Sequence, residues 1–566
     1  MLNQFNYSLP EDLETALHAK LEEFKSLDVV GRIWKKDPLI WSNEDEDQWL
    51  GWLDIANREL EDLKKYEYFA EDAKNFKDIV LLGMGGSSLC PEVFSITFDK
   101  QNFHILDSTV PAQIKTLESK LDLAKTLFIV ASKSGSTLEP NAFKQYFFDR
   151  VSETIGRDHA GSKFVAITDP GSKLEAAAKK ERFRNIFYGD PTVGGRFSAL
   201  SVFGLIPAAA MQIDVESFLR SSIKMVEASK SDLPYENPGA LLGAILGVCH
   251  EHGRDKLTIF TSPEIYDVGA WLEQLIAEST GKNGVSIIPV DRESIRDPEK
   301  YGSDRMFAYL KTDEFDSSGA AQRVAQIEQS GQPVVRINLA EKLNLGQEFF
   351  RWEFATAVAG AIMEINPFDQ PDVESAKIEA KKITSAYEKT GKLPGEKPFY
   401  EQGGIKLFTD AVNLADLKDA TFEENPLESY LKAHIARIKK NDYFALLAYV
   451  EMRPDYEKLL QDIRHEVLKT TGAATCLGFG PRFLHSTGQA YKGGANNGVF
   501  MQITSDDEQD LQVPGNKYTF GVIKSAQARG DFQVLLDRQR RALRVHLSEN
   551  VFEDLQTITE LIEGSD

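Results

Sequence analysis

Cysteine is nearly missing from this 566-residue chain. Cys90, Cys249 and Cys476 are too few and too scattered for a disulfide framework or a zinc site, so the expectation is a reduced, cytoplasmic protein with no metal. Long apolar runs are missing too. The richest stretches, near residues 201–211 and 241–248, are broken by Gly or Pro and fall far short of the roughly 20 residues a membrane span needs. The first residues, "MLNQFNYSLPEDLETALHAK", have no basic segment leading into an apolar core and are not expected to be a secretory signal. An excess of positive charge is also absent. A formal net charge of −22 argues against a nucleic-acid partner, which needs a basic face, but not against a pocket that binds one small anion.

What is present is ordinary globular material, 42% hydrophobic and 27% charged, long enough for several cores. Short apolar strands alternate with helical stretches, which predicts α/β layers around mainly parallel sheets. "DIVLLGMGG", "FHILDS", "LFIVASKSG" and "KFVAITDPGSK" form a first set of strands. "KLTIFTSP", "GVSIIPV", "MFAYLKT" and "PVVRINL" form a second. A third group runs from "YFALLAYVEM" through "AATCLGFGPRFL", "GVFMQIT" and "YTFGVIKSAQARGDFQVLL" to "RALRVHL". The expected division is a helical layer over 1–70, two α/β domains over 71–235 and 236–390, a linker or long loop over 391–429 and a C-terminal α/β module over 430–566.

In a parallel sheet, ligands bind where strands end and helices begin, because helix N-termini offer unpaired N–H groups and a positive dipole end. The stretch "FIVASKSGSTLEPNAF" puts Ser132, Lys133, Ser134, Gly135, Ser136 and Thr137 at such a junction. Phosphate is the natural guest for those hydroxyls and that lysine, although a hydroxyl-rich helix cap has the same composition. A second junction, Gly83-Met84-Gly85-Gly86-Ser87-Ser88, lacks the third glycine of a dinucleotide fingerprint, and no G-x-x-x-x-G-K-[ST] loop occurs. Two such turns therefore point to a phosphate on a small molecule, with Gly86 and Ser87 at the second turn as binding residues.

"GMGGSSLCP", "ASKSGSTLEP", "VGGRFSAL", "EQLIAESTGKNG" and "INPFDQPDVESAK" stand in this order over 78–377, and together the sequence resembles the glucose-6-phosphate isomerase (phosphoglucose isomerase) family. Beyond about residue 395 it is similar only to some members, notably the isomerase half of transaldolase–isomerase fusions. The resemblance implies two sugar isomerase (SIS) domains, each a three-layer α-β-α sandwich. It also implies cofactor-free interconversion of glucose 6-phosphate and fructose 6-phosphate through a cis-enediolate, in glycolysis and gluconeogenesis. Two alternatives stay open, an isomerase that also accepts mannose 6-phosphate and a non-catalytic sugar-phosphate-binding regulator.

Residue by residue, the resemblance makes Glu278 the proton-transfer base, with Gln274 one helical turn earlier. Arg196 stabilises the enediolate, because a guanidinium keeps its charge in any site. Lys377 assists ring opening, and Gln370 contacts the phosphate region. Ser132, Lys133, Ser134 and Thr137 hold the phosphate. The histidine that the best-known members carry about thirty residues after the glutamate has no counterpart in "DPEKYGSDRMFAYL". His485, in "GPRFLHSTGQAYKGG", is the expected substitute, presented by the C-terminal module closing over the site. An intersubunit histidine would then be unnecessary, and either a homodimer or a monomer could work.

Overall fold

The computed structural model describes residues 1–313, 319–418 and 425–564. After β1 (Gln4–Ser8) come β2 (Asp78–Leu82), β3 (Phe103–Leu106), β4 (Thr126–Ala131), β5 (Phe164–Thr168) and β6 (Asn185–Tyr188). Then follow β7 (Lys256–Thr261), β8 (Ile288–Asp291), β9 (Arg305–Thr312) and β10 (Val334–Leu339). The last set is β11 (Tyr400–Gln402), β12 (Ile405–Phe408), β13 (Tyr443–Tyr449), β14 (Ala474–Phe479), β15 (Gly498–Ser505) and β16 (Arg541–Leu547).

These strands build three sheets, in the orders β3-β2-β4-β5-β6, β1-β10-β9-β7-β8 and β11-β12-β16-β15-β13-β14. The first is parallel throughout. The second is parallel apart from β1, and the third is parallel from β16 to β14. Mixed α/β architecture with mainly parallel sheets is what the strand pattern predicts.

Strands buried on both faces read as continuous apolar runs, and alternate residues serve different cores. In the first sheet Ile79, Leu81, Leu127, Ile129, Val165 and Ile167 face a large core shared with Leu257, Ile259, Met306 and Ile337 of the second sheet. Val80, Leu82, Phe128, Val130 and Phe164 face a smaller core on the opposite side, which Val513, Phe520 and Ile523 of the C-terminal module complete. Ile288 and Val290 pack with Tyr443, Leu447, Tyr491 and Phe532, so the second and third sheets share a core as well.

Three expectations need correction. The 1–70 segment is not wholly helical, since β1 pairs antiparallel with β10 and gives that strand a covered edge. Within 391–429, β11 and β12 form a hairpin whose second strand pairs with β16, and a helix spans Ala411–Lys418, so this stretch is part of the third sheet rather than a linker. Ile405 and Leu407 reach its core, an alternation of period two that the surrounding Gly and Pro obscure. Residues 419–424 of that stretch lie outside the described residues. Finally, "YTFGVIKSAQARGDFQVLL" contributes no long strand; Phe520–Asp537 is a helix laid against the third sheet. No helix among the described residues is long and apolar enough to cross a membrane.

Candidate active site

The helix Leu138–Ile155 follows β4, and Thr137 sits at its N-cap without a side-chain capping bond. The Thr137 hydroxyl lies 3.3 Å from that of Ser132, and the Ser134 and Ser136 hydroxyls are 2.7 Å apart. The turn therefore keeps its hydroxyls together at an uncapped helix start, the arrangement an oxyanion needs. Lys133 is a correction. Its Nζ donates to Asp169 at 2.6 Å and to the Asp190 carbonyl at 2.9 Å, so its charge is spent between neighbouring strand ends. Burial raises the Asp169 carboxyl above its ordinary range, opposed by Lys133.

The glycine-rich turn after β2 is placed by close approach. A Cβ on Gly86 would stand 2.0 Å from the Gly195 carbonyl oxygen, so only glycine lets this turn meet the turn carrying Arg196. Gly85, at φ +57°, leaves room for Gln274 and His485 beside it. Ser87 ends the same turn, away from the residues lining the main cavity.

Glu278 and Gln274 share one face of the helix Val268–Thr280, an i, i+4 pair. The Gln274 amide donates to Glu278 Oε2 at 3.0 Å and to the His485 carbonyl at 2.8 Å. Arg196 Nη1 stands 3.5 Å from Glu278 Oε1. The rest of that guanidinium is fixed: it donates to Ser279 Oγ at 2.7 Å, Gln370 Oε1 at 2.8 Å, and the Pro367 and Asp369 carbonyls at 2.7 and 2.9 Å. Burial lowers its affinity for the proton, with Glu278 and Asp369 opposing, yet a guanidinium stays charged at neutral pH.

His485 ends a short turn, Arg482–His485, after β14. Its Nε2 lies 3.1 Å from Glu139 Oε1, and that carboxylate oxygen also accepts from Gln527 Nε2 at 2.6 Å. Burial alone would raise the Glu139 carboxyl, but the charge and hydrogen bond of His485, a backbone N–H and Lys377 outweigh it and leave it below its usual value. Gln489, in the following helix, accepts from the Asp372 and Val373 amides at 2.9 and 3.1 Å and donates to the Gly281 carbonyl at 2.8 Å. The module carrying His485 is thereby hydrogen-bonded to both the Glu278 helix and the Lys377 helix.

A cavity of about 590 Å³ opens among Ser134, Thr137, Glu139, Lys377 and His485. Lys377, on the helix Pro371–Thr390, is half exposed and 3.6 Å from Glu374. Lys381 lines the same cavity. Glu278, Arg196 and Gln370 are not in its wall; they join it through Gln274 and the His485 backbone.

Two residues escaped the sequence reading. Glu139 looks like a favourable acid in a helix's first turn, and only the fold shows it 4% exposed and turned to His485. Lys282 donates to the Asn366 and Asp369 carbonyls, each at 2.6 Å, and to the Asp369 carboxylate at 2.5 Å. Burial, with Arg196 nearby, pushes its amine down to about 8. Its signal was a lysine just after the catalytic-type helix, which sequence alone cannot separate from a solvated one.

Residues 55–295 match the family model described as phosphoglucose isomerase. Over that stretch the chain is similar to the phosphoglucose isomerase family. A glucose-6-phosphate isomerase of Thermus thermophilus is 29% identical over 384 residues, spanning 59% of this chain and 89% of that protein. A probable glucose-6-phosphate isomerase of Methanococcus maripaludis is 27% identical over 367 residues, 58% of this chain and 82% of its own length. Among solved structures, a hypothetical protein from Thermus thermophilus superposes with TM-score 0.57 at 25% identity, covering 67% of this chain and 99% of that one. A glucose-6-phosphate isomerase from Chlamydia trachomatis superposes with TM-score 0.56 at 20% identity, over 68% and 88% of the two chains, and shares the fold. The His485 module lies beyond the stretch matched by the family model.

Proposed function

We propose that the protein interconverts glucose 6-phosphate and fructose 6-phosphate in the cytoplasm, with the two N-terminal α/β units, about 71–235 and 236–390, acting as sugar isomerase domains. The observation that carries this reading is the buried row Arg196–Glu278–Gln274, bonded on to the His485 carbonyl and set beside an uncapped, hydroxyl-rich helix start.

The chemistry follows from those groups. Phosphate binds the 132–137 turn through hydroxyls and backbone N–H groups, with Ser87 and Gly86 at the neighbouring turn. Imidazole accepts one proton while donating another, which opening the ring between O1 and O5 requires; Glu139 holds the His485 ring for that exchange. Lys377 and Lys381 supply positive charge along the same wall. The Glu278 carboxylate takes the proton from C2 and returns it at C1, and the pinned Arg196 guanidinium stabilises the enediolate charge between those carbons. Gln370 acts here as a clamp on Arg196 rather than as a phosphate ligand. His485 comes from the same chain, so this reading lets a single chain complete its own site.

The test is solvent deuterium exchange at C2 of glucose 6-phosphate. Glu278→Gln should abolish turnover and exchange together while sugar-phosphate binding persists. Exchange near the wild-type rate would place the base elsewhere.

A further inference from the structure

The third sheet has two unlike faces. One is apolar along its length, with Leu446, Met501, Ile503, Leu543 and Val545 in a single core. The other begins apolar, at Tyr443, Phe500 and Ala542, and turns polar toward the carboxyl ends of the parallel strands. There the register sets Tyr449 beside Thr504, Thr504 beside His546 and His546 beside Lys406, with Gln502, Arg544 and Phe408 aligned one step back. In the order β14-β13-β15-β16 the chain leaves β13 toward one side and β15 toward the other, so a crevice opens between their carboxyl ends. A cavity of about 420 Å³ lies at this edge, lined by a different set of residues from those around His485.

Two arginines in it hold one internal carboxylate. Arg529 Nε and Arg544 Nη2 both approach Glu396 Oε2, at 2.7 and 2.9 Å. Glu396 belongs to an irregular segment between the helix Pro371–Thr390 and β11. The Arg544 side chain is 4% exposed and stacks over the Phe408 ring at 4.3 Å. Among the described residues its Nε has no hydrogen-bond partner, and neither does the buried Tyr449 hydroxyl that lines the same cavity. Of the other charges there, Lys524 pairs with Asp507 and His546 with Asp506, and Lys406 and Glu401 also line the cavity. Burying a guanidinium costs several kcal/mol unless its donors are satisfied. Two buried donors therefore face this cavity beside the clamp.

We propose that this cavity is a second small-anion site, in which the Glu396 carboxylate is an internal stand-in for the oxyanion of a small metabolite. The recognised chemistry is a phosphate monoester or carboxylate able to take a forked set of guanidinium donors, and the space suits a body of metabolite size. Binding exchanges one anion for another: the ligand's oxygens take the Arg544 and Arg529 donors, and Glu396 swings out with its segment.

Equilibrium dialysis of full-length protein against radiolabelled inorganic phosphate tests it. Glu396→Ala removes the competitor and should add one phosphate per chain, or tighten an existing weak class by about tenfold, the worth of one charge-assisted bond. That gain should vanish in Glu396→Ala combined with Arg544→Met, and also with Arg529→Met, whose partly exposed side chain can be removed without opening the core. Phosphate held at the isomerase site is common to all variants and subtracts out. Malonate displacing the label as well as glycerol 3-phosphate does would mark a carboxylate as the recognised group; displacement by glycerol 3-phosphate alone would mark a phosphate. An isotherm for Glu396→Ala that superimposes on wild type overturns the proposal, as does an added class that survives both arginine substitutions.

Discussion

Glu273 and Glu278 stand on the same helix, Val268–Thr280, and meet opposite surroundings. Glu278 faces Arg196, at 3.5 Å, and the Gln274 amide. Glu273 faces another carboxylate, Asp291, across a wall that also carries Arg464, Arg292 and Arg482, and burial with that like charge pushes its carboxyl up to about 8. Burial on one helix therefore does not by itself make a catalytic acid or base. What distinguishes Glu278 is a fixed cation on one side and a donor bonded to the His485 turn on the other, whereas Glu273 lies in a charged seam between modules. A perturbed carboxyl in a cleft is a common pointer to function, and here it points to Glu273 rather than to the proposed base.

Exchanging the two side chains in turn should separate them most sharply. Glu278→Gln removes the base and should cost about 10²–10⁴-fold in turnover, the usual range for general acid–base catalysis, with thermal stability close to wild type. Glu273→Gln should leave kcat within a factor of about two, since Glu273 lies outside the proposed proton-transfer row. Equal losses from the two substitutions would dissolve the distinction.

A smaller but more selective effect is expected at the histidine. His485→Ala should slow isomerisation of ring-closed substrate by about 10²-fold and spare substrate already in open-chain form. Glu139→Gln should slow the ring-closed reaction and spare the open-chain one, because the His485 ring loses the carboxylate that holds it. Equal losses on both substrate forms would return His485 to a structural role.

At the phosphate turn, Ser134→Ala with Thr137→Ala should weaken phosphorylated sugars roughly tenfold, the worth of one bond to a charged group. Lys133→Ala should act differently. Its partners are Asp169 and the Asp190 carbonyl, so stability should suffer more than affinity. Loss of affinity from Lys133→Ala alone, with an unchanged melting temperature, would put that charge back on the phosphate.

The strands of both N-terminal sheets were legible because parallel strands buried on two faces leave unbroken apolar runs that end in Gly, Ser or Asp. β6, "NIFY", was not, being short, half-buried and at a sheet edge. β1 and the β11–β12 hairpin were missed because edge strands are short and polar, and their pairing depends on residues hundreds of positions away. At the site, motif order gave Arg196, Gln274, Glu278 and His485, which the fold does bring together. It did not foresee the partners of Lys133, since a lysine beside serines reads as a phosphate ligand until Asp169 is seen across the strand ends. Glu139 stayed hidden because its partner comes from another module, 346 positions along the chain.

The smallest expected effect concerns stability against pH, and it follows from the Glu273 seam. A free glutamate titrates near 4.3, so the unfolded chain gives up this proton well below neutrality while the folded chain keeps it to about 8. Stability linked to Glu273 is therefore fully present below about pH 4 and drains as pH rises through 8. Asp267, also raised to about 8 by burial and by Glu92, adds to the same slope. Glu273→Gln removes one of these titrations and relieves Asp291 of a neighbouring charge. Melting temperatures measured at pH 6 and pH 9 should fall less for Glu273→Gln than for wild type, by about 1–3 °C. The two proteins should converge below about pH 4, where the wild-type group is protonated in both states. Parallel melting curves across that range would mean that the Arg464, Arg292 and Arg482 guanidiniums already neutralise the seam and hold Glu273 charged.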